Sequence, residues 1–111
     1  TVMAKAAKLS DSAKDFYKLA QIHTERQEWQ QALTNINKAL EKNESDASTS
    51  IKEHEARILK GLVLFNMKDL LLARAEFEMA AEYSESSKIT EQWLTFIEGE
   101  EKRIAFIAGT E

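Results

Sequence analysis

The stretch Ala56–Ala73, ARILKGLVLFNMKDLLLA, decides how this chain folds. Its apolar side chains recur at three and four residues through Ile58, Leu59, Leu62 and Phe65. The run breaks at Asn66–Asp69 and resumes at Leu70 and Ala73. That is a helix, a short turn and a second helix. Working outward, the third helix is predicted over about Ile51 to Asn66. The fourth carries Leu70, Ala73, Phe77, Ala80 and Ala81.

Upstream, Phe16, Leu19, Ala20 and His23 mark one helical face, preceded by the cap-forming oxygens of Ser10, Asp11 and Ser12. A second stripe runs Trp29, Ala32, Leu33, Ile36, Ala39 and Leu40, so a break falls near Glu25 to Glu28. Polar residues Lys42 to Ser50 read as a loop. After Ser84 to Ser87 a last helix carries Ile89, Trp93, Phe96, Ile97, Ile104 and Ile107. Turns this short force antiparallel hairpins.

Composition agrees with an all-α fold. There is no proline, and glycine stands only at positions 61, 99 and 109, too few for the tight turns of sheets. The 111 residues make one domain, 43% hydrophobic and 31% charged, with a net charge of -4. A nucleic-acid or anionic-membrane binder would need a basic face instead. No apolar run approaches the ~20 residues a span requires, Leu62–Phe65 having four, so no direct membrane insertion is expected. With no cysteine and two histidines, neither thiol catalysis nor a metal site is expected. His54-Glu55 starts like a zinc-binding helix, but the second histidine would fall at Ile58. No cofactor-binding loop is present, and no catalytic residues are expected. His23, on an apolar stripe, is expected to be a packed core residue.

The two hairpins repeat one another. Ala20 to Ala32 and Gly61 to Ala73 each span twelve residues, and Ala32–Ile36–Ala39 has the spacing of Ala73–Phe77–Ala80. In this the chain resembles the tetratricopeptide family, whose hairpins carry a small residue and then A-x3-F-x2-A. Small residues there let facing helices approach while a large one fills the gap between turns. The resemblance covers about residues 13 to 107. It implies hairpins at about 12–42 and 51–84, stacked as a short right-handed solenoid and closed by a capping helix at about 88–108. Ala32, Ala39, Ala73 and Ala80 should be buried, and Ala13, at a helix start, less constrained.

Three departures stand out. The repeat offset of 41 exceeds the family's usual length of about 34. Glu44 and Glu85 stand where a closing proline is common. Met3, Ala6 and Leu9 resemble the tail of a preceding repeat, so the chain is expected to be a piece of a longer array.

The resemblance further implies a non-catalytic scaffold that binds a protein or peptide through its concave face. Carried over to this sequence, that face comprises Lys14, Tyr17, Gln21 and Thr24 from the first hairpin. The second contributes Glu55, Ile58, Leu62 and Phe65. Members that clamp acidic chaperone tails carry Lys and Asn at slots occupied here by Tyr17, Gln21 and Leu59, which argues against that ligand. The Ile58–Leu62–Phe65 stripe suits an amphipathic helix or apolar peptide, unless the last helix covers it as core. The alternative function is structural self-association into a homo-oligomer. Gln92-Trp93-Leu94 and Gly99-Glu100-Glu101-Lys102-Arg103 resemble the end of periplasmic repeat proteins that accompany TonB-type transport. That likeness implies an envelope location, with the cytoplasm as the alternative.

Overall fold

The computed structural model describes residues 12–43 and 50–109, and these are all-helical. Five α-helices follow one another: α1 (Ala13–Glu25), α2 (Trp29–Lys42), α3 (Glu53–Asn66), α4 (Leu70–Ala80) and α5 (Ser87–Gly109), the last entered through a 3-10 turn at Ser84–Ser86. Of the expected caps, Ser12 accepts from the Asp15 N–H at 3.2 Å, while Ser10 and Asp11 lie outside the described residues. So do Met3, Ala6, Leu9 and most of the 42–50 loop. Ile51 precedes α3 rather than opening it. Its N–H donates to Asn43 Oδ1 at 2.8 Å, which ties together the two ends of that longer connection.

The repeat extends to the backbone of the turns. After α1, Gln27 takes a positive φ of 61°, and after α3 Lys68 takes 70°. Gln27 N–H donates to the Thr24 carbonyl and Glu28 N–H to that of His23, at 3.0 and 2.8 Å. Forty-one residues later Lys68 donates to Phe65 and Asp69 to Leu64, at 3.0 and 2.9 Å. Each pair of bonds is a Schellman closure, which satisfies the last carbonyls of one helix and reverses the chain into the next. The residue after the left-handed one then precedes the following helix. Asp69 caps it through its side chain at Leu72 N–H, whereas the Glu28 carboxylate reaches back to His23 Nδ1 at 2.9 Å. His23 is therefore a half-buried clasp on the turn rather than the core residue its stripe suggested.

Packing follows chain order: α1 on α2, both on α3, α3 on α4, and α4 on α5. One group of buried side chains joins α1, α2 and α3 through Phe16, Leu19, Ala20, Ile36, Ala39 and Ala56. Another joins α3, α4 and α5 through Leu64, Ala73, Phe77 and Ile97, and Leu33 packs against both. Ala32, Ala39, Ala73 and Ala80 have no exposed surface, as their spacing predicts. Ala13 departs from expectation, since it too is buried.

At the centre of the second group lies a three-layer contact. A Cβ built on Gly61 would sit 2.8 Å from the Phe77 ring, inside van der Waals contact. The other face of that ring stacks on Trp93, with centroids 5.2 Å apart and planes within 6°. Phe77 is fully buried, so any shift of its ring displaces other core side chains. Polar contacts staple the same hairpin: Arg57 meets Glu76 at 2.9 Å and Glu53 at 3.2 Å, and Tyr83 donates to Glu53 at 2.9 Å.

An alanine in a helix interior normally gains about 1 kcal/mol over glycine. Gly61→Ala should instead destabilise by about 1–3 kcal/mol through overpacking. Gly99→Ala, where a Cβ meets nothing within 4 Å, should follow the normal rule. Urea denaturation of both variants at low protein concentration checks the opposite signs.

Candidate functional site

The residues expected on the concave face come largely together. α1 supplies Tyr17 and Gln21, one turn apart, and α3 supplies Glu55, Ile58, Leu59 and Leu62. Spacings of three and four residues put each set on one face. Together they line an open depression of about 400 Å³. Leu62 is also a wall of a second depression of about 560 Å³, lined further by Phe65, Asn66, Ile89, Gln92, Trp93 and Phe96. The two adjoin at Leu62 and make one groove along α3, with α1 on one side and α5 on the other.

The α5 side is aromatic. Phe65 meets Trp93 and Phe96 edge to face, with centroids 5.6 and 5.4 Å apart, and Trp93 meets Phe96 at 6.1 Å. Such tilted pairs add to the attraction from burial alone. Trp93 has one face committed to Phe77 and also lines the groove. Phe96 remains 55% exposed. The α1 side is more polar: the Tyr17 phenol is held protonated above its usual range, first by burial and then by the Glu55 carboxylate. A groove built this way offers apolar contact in its middle and hydrogen-bonding groups at the Tyr17–Gln21 and Asn66–Gln92 edges.

Reactive groups lie elsewhere. His54 Nδ1 and Ser86 Oγ are 2.5 Å apart, but both residues are buried. That pair ties the 3-10 turn to the start of α3 and has no open face for a substrate. Among the described residues, no group of three His, Cys, Asp or Glu side chains could hold a metal ion. None of the described helices is long and apolar enough to cross a membrane.

Compared with models of known protein families, with characterised proteins and with solved structures, the chain matches none.

Of the eight residues carried over to the groove, six line it: Tyr17, Gln21, Glu55, Ile58, Leu62 and Phe65. Lys14 is exposed and is not part of its lining. Thr24 is half-buried and not part of its lining, its hydroxyl donating to the Ala20 carbonyl of its own helix at 2.7 Å. Ile58 and Phe65 serve twice, packing against the buried group while facing the groove, and neither is fully covered by α5. Sequence reasoning missed the α5 wall. Its signal was the spacing of Ile89, Trp93 and Phe96 on the helix expected to cap the array or to carry self-association.

Titration of the Tyr17 phenol by ultraviolet absorbance should give a midpoint above the usual value of about 10. Glu55→Gln removes the carboxylate and should lower that midpoint. Burial remains, so it should stay above that of a free tyrosine. An unchanged midpoint would separate Glu55 from Tyr17 and open the groove at that end.

Proposed function

We propose that this chain is a non-catalytic protein-interaction module, built as tetratricopeptide-like stacked hairpins, that holds the apolar face of a partner's amphipathic helix in the groove along α3. The observation that carries the reading is the junction at Leu62 of two depressions whose lining includes the apolar side chains of Ile58, Leu59, Leu62, Phe65, Ile89, Trp93 and Phe96. Apolar anchors at i, i+3, i+4 and i+7 of a bound helix would meet that strip, and this is the usual way a groove reads a helix. The solenoid part of the proposal is supported by the 41-residue repeat of turn geometry and by packing that follows chain order.

Affinity in such a groove comes from a few large side chains in well-packed pockets. Phe96 and Leu62 are the best probes, because Phe65 and Trp93 also hold the fold together. A helical peptide with leucines at i, i+3, i+4 and i+7 should shift the amide resonances of Tyr17, Leu62, Phe65 and Trp93. A scrambled peptide of the same composition should not. Leu62→Glu should weaken binding at least about tenfold, by placing a charge on an apolar contact, with the circular dichroism spectrum unchanged. Shifts centred on the outer face of α4, or equal shifts from both peptides, would refute the groove.

A further inference from the structure

From Lys102 to Gly109 every residue of α5 is exposed, about 12 Å of helix at the usual rise per residue. This overhang is nonetheless apolar, with Ile104, Phe106 and Ile107 exposed by 49%, 73% and 44%. Along the whole helix, Ile89, Trp93, Phe96, Glu100, Arg103 and Ile107 recur at four, three, four, three and four residues. That is the 3.5-residue period with which one helix lies along another. At the middle of the seam Glu100 and Arg103 sit one turn apart, 3.0 Å from each other. Read in either direction from that pair, the seam runs from charge to large apolar side chain. Turned end for end it presents base to acid and acid to base.

Gly99 supplies an independent observation. It interrupts the interior of α5, where glycine is unfavourable, yet a Cβ there would meet nothing within 4 Å. Gly61 is required by the Phe77 ring, whereas no contact among the described residues accounts for Gly99. It lies on the flank of the seam next to Arg103.

We infer that α5 pairs antiparallel with α5 of a second copy, about a twofold axis passing between Glu100 and Arg103. In that register Glu100 faces the partner's Arg103 twice over, as an isologous contact requires. Phe96 faces the partner's Ile107. On the flank, the partner's Phe106 ring, the most exposed aromatic side chain of α5, lies over the bare backbone at Gly99, the open glycine in the interior of the helix. A second copy is favoured over an unrelated helix because one sequence supplies both halves of the charge pattern and both halves of the ring-and-glycine fit. The contact is short, so the dimer is a concentration-dependent one at the small end of specific interfaces. It is decided on α5 alone and does not rest on the peptide reading of the groove.

Sedimentation equilibrium of the whole chain, up to about 1 mM so that even a millimolar Kd registers, tests it. The wild type should be a monomer–dimer system. Glu100→Arg and Arg103→Glu each set like charges face to face and should raise Kd at least about tenfold. The double variant restores opposite charges and should return Kd to within about threefold of the wild type. Gly99→Leu should abolish the dimer without loss of helical circular dichroism, since leucine is a strong helix former. Glu98→Arg, on the opposite face of α5, should change nothing. A wild-type monomer up to 1 mM overturns the proposal. So does a dimer indifferent to the single swaps, or a double variant that stays dissociated.

Discussion

The flat stack of Gly61, Phe77 and Trp93 is the contact on which the rest of the second half depends. Only a residue without a Cβ lets the Phe77 ring lie against α3, and only a ring in that position offers a flat face to Trp93 at 5.2 Å. Through this sandwich α4 fixes the rotation of α5 about its own axis. Ile97 and Thr90 are then buried beneath it, while Ile89 and Phe96 are left on the open side. The groove wall follows from that rotation, because Trp93 lines it while stacked on Phe77.

Hydrophobic burial alone would not specify such an arrangement. Leucines are interchangeable on a sliding helix face, whereas an aromatic stack over a glycine has one register. The turns impose a similar constraint at the other end of each hairpin. Gln27 and Lys68 accept a left-handed backbone that glycine would adopt more readily, and the Schellman bonds they close compensate for it. The same reversal geometry recurs 41 residues apart, and Tyr17 and Gln21 of α1 come to lie beside Ile58 and Leu62 of α3.

Much of this was legible in the sequence because it is local. Apolar spacing places the helices to within one or two residues, and the alanine spacing places the buried contacts. Six of eight groove residues follow from assigning one face to each helix. The failures are long-range or angular. Thr24 has the right spacing, but its hydroxyl bonds to its own helix. His23 finds Glu28 on the turn, and His54 finds Ser86 from 32 residues away. The buried carboxylate of Glu76 is matched by Arg57, 19 residues upstream, on another helix. The α5 wall was hidden for a different reason: Trp93 is held by its stack on Phe77 of another helix, and no single helix encodes that contact.

The hold of the ring stack on the rotation of α5 is measured most directly by a double-mutant cycle between Phe77 and Trp93. Phe77→Leu, Trp93→Leu and the pair would be compared by urea denaturation. Stacked aromatic pairs are coupled by about 0.5–1.5 kcal/mol beyond the area they bury, and a coupling in that range is the expected result. Additive losses, with coupling near zero, would mean that Trp93 is held by general burial and that the groove wall is not set by the stack.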